Sequence, residues 1–230
     1  MKARRLEALA AALMAASLAV LPGSAWAATT VPAAKTLCDA AVTRRLTSLS
    51  TVRTNLDTAT NVAGSDRTNL DAELDAAVSG LTNLKGTIDR DTTLAKVRSD
   101  CKQIVTGFYV YVFLIPKVEL VRATDRVDAA AAVLKSLQGL LQGLVNADLA
   151  KGKNVTAAQG FVTDLGVKVS AATTSATSAA SAVLPLTTTG FPGNRPTIVS
   201  ALAALKSAAG TLQGAEAAGS NAVRELKALG

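Results

Sequence analysis

Apolar residues recur at steps of three and four along most of the chain, which is the spacing of one face of an α-helix. The first such stripe runs over 38–63 and the second over 70–88. A third, over 94–115, ends at a proline, and three more follow over 118–149, 155–184 and 198–226. The pattern therefore predicts about six helices.

Each stripe also predicts which residues lie in a core. The predicted core positions of the fourth helix, all on one side of it, are Val118, Val121, Val127, Ala130, Leu134, Leu137, Leu141, Leu144 and Leu149. Alternation typical of a strand occurs only in Phe108–Phe113. Because a lone strand has no partner and is not stable, we interpret that segment as helix as well.

Proline and glycine mark the predicted helix ends. Pro32 suits a first turn, Gly64 is placed to end the first helix, and Pro116 breaks or kinks the chain because it lacks a backbone donor. Short connections between helices favour antiparallel neighbours. We therefore expect an all-α antiparallel helical bundle. It is either one long kinked bundle or two three-helix units, 28–115 and 116–230, joined at Pro116.

Residues 1–27 have the pattern of a secretory signal peptide. Three basic residues precede an apolar stretch of about 16 residues, and a small-x-small motif follows it. The residues that define the predicted cleavage site are Ala25, Ala27 and Ala28, the last being the expected first residue of the mature chain. The alternative is an uncleaved membrane anchor, but the stretch is shorter than the roughly 20 residues that span a bilayer. We predict a secreted or extracytoplasmic protein of the cell envelope.

Composition and charge argue against two classes of protein, disordered chains and nucleic-acid-binding proteins. The chain has 230 residues, 49% of them apolar, which excludes a disordered protein. Its net charge is +7, and without the leader 21 basic and 16 acidic residues remain, a net +5. Because the basic residues are spread among acidic ones, we expect no nucleic-acid partner.

Cys38 and Cys101 are the only cysteines, and in an exported chain they predict a disulfide. The alternative is a pair of free, buried thiols. One geometric objection applies. An ideal up-down-up bundle places the two cysteines at heights that differ by more than about 10 Å, whereas bonded Cα atoms lie within about 7 Å. With the disulfide kept, either the first helix starts late or the helices are staggered.

The sequence carries little that predicts catalysis. It has no histidine, so the usual general base and the commonest metal ligand are missing. Asp71 and Asp75 share a helix face that we interpret as solvated, and Asp89 and Asp91 flank a turn where helix capping explains them. We predict no enzyme, and no catalytic, cofactor-binding or metal-binding residue.

Four of the six aromatic residues of the mature chain lie within six positions, Phe108, Tyr109, Tyr111 and Phe113. They form either the heaviest part of the core or a groove for a partner. The long loop 185–196 carries a fifth, Phe191, which either packs back onto the bundle or is an exposed contact. The candidate partner contacts are Tyr109, Tyr111, Phe191 and Asn194.

Three short segments give the chain a resemblance to a group of proteins. They are Tyr109-Val110-Tyr111-Val112 followed by Pro116-Lys117, Ala157-Ala158-Gln159, and Phe191-Pro192-Gly193-Asn194. With them the chain resembles uncharacterised secreted helical-bundle proteins of bacteria. The resemblance implies export and a helical fold, and no activity.

These observations support two functions. The first is an exported, non-enzymatic helical-bundle protein, a structural or interaction module whose partner is a protein or an envelope component. The alternative is a lipid-binding or membrane-surface protein, which usually has Lys and Arg on one helix face and aromatic residues on the other. The charge-mixed, aromatic-poor faces here disfavour the alternative. A hydrolase that uses carboxylates alone is a third, remote option.

The leader makes a direct prediction. N-terminal sequencing of the exported chain should begin at Ala28. A chain that keeps residues 1–27 after export would indicate the membrane anchor instead.

Overall fold

The computed structural model describes residues 28–59 and 62–230, and nearly all of these are helical. The α-helices are α1 Val31–Asp57, α2 Gly64–Arg90, α3 Leu94–Thr106, α4 Ile115–Ala150, α5 Thr156–Val183 and α6 Arg195–Leu229. A π-helical turn, Val110–Leu114, leads into α4, and a 3-10 turn, Thr188–Gly190, precedes α6. Neither described range contains a strand, so the predicted all-α class is confirmed.

The expected number of helices is slightly too high. Leu94–Ala150 forms one helical stretch of 57 residues, so α3, the π-turn and α4 count together and the described residues form five helices.

The predicted break at Pro116 is also wrong. Pro116 is the second residue of α4, a position in the first turn where proline is tolerated. The interruption lies earlier, at Gly107–Tyr109.

The first helix ends seven residues before the position predicted. It ends at Asp57, where Arg67 of α2 reaches back and binds one carbonyl of the last turn and one just beyond it. The guanidinium donates to Leu56 O at 2.6 Å and to Ala59 O, which takes the place of further helical hydrogen bonds. Gly64, predicted to end α1, is instead the first residue of α2.

Internal contacts group the described residues into two compact units. The N-terminal unit contains 28–122 together with 184–198, and the C-terminal unit contains 123–183 together with 199–230. The loop 184–198 thus clusters with the first three helices, although both helices that it joins continue in the other unit. As a statement about independent domains, the division at Pro116 stays a prediction.

The N-terminal unit is built on α1, α2 and α3, which pack against one another. Thr30 caps α1 by accepting from Ala33 N, Pro32 lies in its first turn, and Thr93 caps α3 by accepting from Lys96 N. The core residues, all with less than a tenth of their surface exposed, are Val42, Leu49, Val52, Leu56, Leu70, Leu74, Leu81, Leu84, Ile88, Val97 and Ile104. These are the positions that helical spacing predicts.

A disulfide joins Cys38 of α1 to Cys101 of α3, with Cα atoms 5.7 Å apart. The predicted height mismatch disappears because α1 and α2 each have 27 residues. With helices of equal length in an up-down-up arrangement, α1 and α3 begin at the same level, and each cysteine is the eighth residue of its helix. Disulfides persist mainly in oxidising compartments, so this bond fits an extracytoplasmic location.

The C-terminal unit is a second three-helix arrangement, in which each helix contacts the other two. Thr124 Oγ1 donates to Ala176 O at 3.2 Å between α4 and α5, and Ser175 Oγ donates to Ala204 O at 3.3 Å between α5 and α6. The Leu137 side chain of α4 lies over Gly219 of α6. Small residues of α5 are buried here, among them Ala172, Ala176 and Ala179, which permits close helix packing.

Two predicted core residues of α4 are on the surface. Leu144 is 55% exposed and Leu149 59% exposed, while Val145 is buried beside Leu141 and Leu134. Successive residues lie about 100° apart around a helix. The stripe that faces the core therefore passes through Val145 and leaves Leu144 on the solvent side.

By length and composition alone, the stretch Leu94–Ala150 is apolar enough to cross a membrane. About half of its most apolar part, 44%, is buried inside the protein. Helices in the core of a protein meet the same criteria, so this finding by itself does not place the chain in a membrane.

The disulfide closes a loop with a sequence separation of 63 residues. In the chain-entropy model, a loop of this size stabilises the folded state by about 4 kcal/mol. We expect the double variant Cys38→Ala, Cys101→Ala to lose that free energy of unfolding in urea titrations. An unchanged unfolding midpoint would show that the bond does not constrain the unfolded chain.

Candidate functional site

The site begins where α3 ends. Gly107 and Phe108 form a turn, and Tyr109 then adopts the left-handed conformation, with φ 45° and ψ 36°. Such a backbone costs a bulky residue about 1 kcal/mol or more, and strain of this kind is concentrated at functional sites. The Phe108 ring fits against Gly80 of α2, where an added Cβ would overlap it. The turn is therefore held by packing from a neighbouring helix.

The π-turn that follows is anchored on Tyr109. Its carbonyl accepts from Phe113 N at 2.9 Å and from Leu114 N at 3.3 Å. Ile115 N donates to Val110 O, the same five-residue spacing. Single π-turns inside helices occur frequently at functional sites. Together with the left-handed residue, this makes 109–114 the most irregular helical segment that the structure describes.

We call residues 184–198 the strap, because they lie against this irregular segment. The Phe191 ring packs on Tyr109 with centroids 4.6 Å apart and meets Phe113 edge-on at 6.3 Å. Such aromatic pairs contribute about 0.5–1.5 kcal/mol beyond the area they bury. Phe191 is thus packed back onto the bundle, the first of its two predicted alternatives.

Asn194 folds the strap itself. Its side-chain Nδ2 donates to Thr187 O at 2.6 Å, and its backbone N donates to Gly190 O at 3.1 Å. Gly190 has to be a glycine at this point, since a Cβ there would overlap the Asn194 amide. The predicted contact residue Asn194 therefore holds the strap together.

A buried lysine fastens the strap to the bundle. Lys117 of α4 is 1% exposed, and its ammonium donates to Glu73 Oε1 of α2 at 2.6 Å and to Leu186 O of the strap at 2.8 Å. It also lies 6.0 Å from the centre of the Phe113 ring. A buried ammonium is costly unless it is paired and hydrogen-bonded. Here Glu73 of α2 supplies the opposite charge, and Leu186 O of the strap accepts the second hydrogen bond.

Tyr111 belongs to a separate contact on the α1 side. Its hydroxyl shares a hydrogen bond with Ser48 Oγ at 3.1 Å, and the buried Arg45 guanidinium lies 5.1 Å from its ring centre. Burial lowers the pKa of Arg45 from its usual value, Tyr111 opposes this shift and Arg44 adds to it. Arginine stays protonated even so. The contact is a cation–π pair that joins α1 to the π-turn.

The structure thus brings together some of the predicted contact residues and separates others. Tyr109 and Phe191 meet, Asn194 supports them from within the strap, and Tyr111 packs elsewhere. The sequence interpretation missed Lys117 and Glu73. The available signal was the place of Lys117 on an apolar helix face, four residues from both Phe113 and Val121, which is unusual for an unpaired lysine.

The acidic residues interpreted from the sequence differ in how they compare with the prediction. Asp75 is exposed, as predicted, and forms a surface ion pair with Arg53 of α1 at 2.7 Å. Asp71, on the same predicted face, is half-buried with its Oδ1 shielded from solvent. Asp91 is buried and binds Lys96 at 2.5 Å, while the cap of α3 is Thr93.

A second feature lies in the C-terminal unit, where α4 and α5 leave a shallow groove. Two adjoining pockets of about 590 and 380 Å³ share Gln138, Gly166 and Ser170 in their walls. Gly166 lets the Gln138 amide lie close against α5, and a Cβ there would displace that side chain. Asp128 lies at one end. Its Oδ1 is shielded, without a hydrogen-bond partner among the described residues, and burial raises the pKa of this carboxyl.

In the ranges 28–59 and 62–230, no three Asp, Glu or Cys side chains come together in a way that could hold an ion.

Comparison with protein-family models, with curated proteins and with solved structures finds no match to this chain. The site therefore has to be interpreted from its own residues.

We expect substitutions of Glu73 and of Lys117 to lower the free energy of unfolding by different amounts. Glu73→Gln leaves the buried ammonium without its counter-charge, so we expect a loss of about 2 kcal/mol in the free energy of unfolding. Lys117→Met removes the charge altogether and should cost less. It also frees Leu186 O, so thermolysin should cut the strap near Phe191 roughly tenfold faster.

The matched control is Lys135→Met, on the exposed surface of the same helix. It should change neither stability nor the rate of cleavage. If Lys117→Met leaves the cleavage rate at the wild-type value, Lys117 does not hold the strap.

Asp128 predicts a pH dependence. Because its folded-state pKa is raised, the ionised form destabilises the folded chain above that pKa, and the effect is absent below the unfolded pKa of about 3.9. We expect Asp128→Asn to raise the melting temperature at pH 7, with a difference that disappears toward pH 3. A difference that stays constant over this range would exclude a protonation effect.

Proposed function

We propose that the chain is an exported, non-enzymatic helical-bundle protein that acts as an interaction module at the cell envelope or outside the cell. Two features support export. The first 27 residues have the three-part pattern of a cleavable leader. The buried disulfide between α1 and α3 is the kind of bond that is kept in an oxidising compartment.

The use of polar groups at the strap and at the π-turn supports a non-enzymatic role. The Tyr111 hydroxyl pairs with Ser48, the Lys117 ammonium pairs with Glu73 and Leu186 O, and the Asn194 amide binds Thr187 O. Catalytic groups need a free lone pair or proton that faces the substrate. The Lys117 and Asn194 groups are engaged in holding the strap, and the Tyr111 hydroxyl is engaged in its contact with α1.

The strap carries the proposal, because it is a folded loop on a rigid support. Loops held by a scaffold are where binding residues are concentrated. Phe191 and Asn194 fix its shape from below, while Pro192, Gly193 and Arg195 are exposed at its tip. We therefore assign partner contact to these three outward residues, and give Phe191 and Asn194 a supporting role.

Co-sedimentation of the purified exported chain tests this function. Isolated cell envelopes and protein-free liposomes of the same lipid composition are the two targets. We expect the chain to pellet with envelopes and not with liposomes, because its partner is a protein or wall component. Pelleting with both would favour a lipid-binding protein, and pelleting with neither would mean that the envelope holds no partner.

A charge reversal at the tip identifies the surface. Arg195→Glu changes an exposed side chain and leaves the Phe191 packing intact, so we expect envelope binding to fall about tenfold or more. Arg224→Glu, an equivalent change on the exposed side of α6, is the matched control and should bind as the wild type does. Equal binding by both variants would rule out the strap as the contact surface.

A further inference from the structure

The strap, residues 184–198, is folded by hydrogen bonds of its own. Thr187 O accepts from Gly190 N at 3.2 Å and from Asn194 Nδ2 at 2.6 Å, and Gly190 O accepts from Asn194 N at 3.1 Å. The Thr187 and Thr189 hydroxyls share a further hydrogen bond at 2.8 Å. These bonds join residues of the strap to one another, so its shape does not depend on the helices beneath it. The strap can therefore move as one piece.

A ring contact and a hydrogen bond attach this piece to the N-terminal unit. The Phe191 ring packs on Tyr109 and Phe113 but is only half-buried, so it gains part of the free energy of full burial. Leu186 O accepts from the buried Lys117 ammonium at 2.8 Å. Release of the strap would expose the aromatic contact and let water reach the ammonium. The position of the strap is therefore sensitive to the state of Lys117.

The charge of Lys117 is balanced by a carboxylate that solvent reaches. Lys117 is 1% exposed, whereas the Glu73 side chain, whose Oε1 lies 2.6 Å from the ammonium, is 34% exposed. Asp71 and Asp75 are each two residues from Glu73, about 200° around the helix, and so point to another side of α2. Glu73 is therefore the carboxylate that pairs with Lys117, and it can exchange protons with solvent while the ammonium stays shielded.

The other charged side chains on the elements around this pair have different partners or face solvent. They are Arg45 of α1 on the Tyr111 ring, Arg53 of α1 with Asp75, Arg122 with Glu119 of α4, and the exposed Lys102 of α3 and Arg195 of the strap. None of these is bonded to Lys117 in the part of the chain that the structure describes. Protonation of Glu73 would thus leave a buried ammonium without an opposite charge.

We propose that the strap is an acid-sensitive lid, which protonation of Glu73 releases from the Tyr109 and Phe113 rings. A buried ammonium that loses its opposite charge is strongly disfavoured, and it regains hydration when the strap lifts away. The seated strap requires an ionised Glu73 and the released strap does not, so lowering the pH favours release. The disulfide and the packed helices do not change in this step. The lid is a property of the chain itself, so it stands whether or not the strap tip binds a partner.

Tryptophan fluorescence of the purified chain without residues 1–27 tests the lid. The one tryptophan of the sequence, Trp26, lies in the predicted leader, so Phe191→Trp gives this chain a single tryptophan on the strap. Its emission should shift to the red between pH 7 and about pH 3.5, the range in which glutamate side chains become protonated. The ratio of released to seated strap should rise about tenfold or more, so that most molecules are released at the acid end.

The wild-type chain provides a second measurement that needs no substitution. Its two tyrosines are Tyr109 and Tyr111, so near-UV circular dichroism at the tyrosine band reports on the ring contact with Phe191. This signal should fall over the same pH range and recover at pH 7, while the far-UV spectrum of the helices stays the same. A tyrosine signal that stays constant down to about pH 3.5 overturns the proposal. So does a loss that occurs only together with the far-UV spectrum.

Two substitutions separate the lid from a general effect of acid. Glu73→Gln carries an uncharged side chain at every pH, so its strap should be released already at pH 7. Lys117→Met removes the buried charge, so its tyrosine signal should not change between pH 7 and about pH 3.5. A Lys117→Met chain that still loses this signal in acid would mean that another group controls the strap, and would contradict the proposal.

Asp75→Asn is the matched control. Asp75 is also an ion-paired carboxylate of α2, but it pairs with Arg53 at 2.7 Å rather than with Lys117. The tyrosine signal of this variant should follow the wild-type pH curve. If Glu73→Gln follows that curve as well, Glu73 is not the group that holds the lid, and the proposal fails.

Discussion

The bond between Cys38 and Cys101 sets the register on which the N-terminal unit depends. It connects equivalent positions of α1 and α3, and it can do so because α1 and α2 have the same length. Once α3 is fixed against α1, the point where α3 ends is fixed as well. That point places Phe108 over Gly80 and brings Tyr111 to Ser48 and Arg45.

The strap is the next consequence of that register. The turn after α3 forces Tyr109 into a left-handed conformation and opens a π-turn, which presents Tyr109 and Phe113 to the Phe191 ring. The Lys117 ammonium then pairs with the Glu73 carboxylate and donates a second hydrogen bond to Leu186 O of the strap. A buried cation of this kind contributes little net stability, but it strongly disfavours arrangements that leave it unpaired. It therefore specifies where the strap lies more than it stabilises the bundle.

Helical spacing was enough to predict the class of fold and most of the core, because a stripe of apolar residues has to be buried whatever its neighbours are. Leu70, Leu74 and Ile88 illustrate this. The same rule failed at Leu144, since periodicity records that a residue is apolar and does not record which side of the helix has a partner. The break was misplaced to Pro116 because a left-handed Tyr109 leaves no sequence signal. The Lys117–Glu73 pair joins residues 44 positions apart, and only the folded chain brings them together.

Peptide mapping of the purified chain, without reduction, tests the central claim that an oxidised Cys38–Cys101 bond sets this register. Trypsin releases Cys38 in the peptide 36–44 and Cys101 in the peptide 99–102. The account predicts that mass spectrometry finds these two peptides linked, and finds them apart after reduction. Two separate peptides with alkylated thiols in the unreduced digest would contradict both the register and the oxidising location.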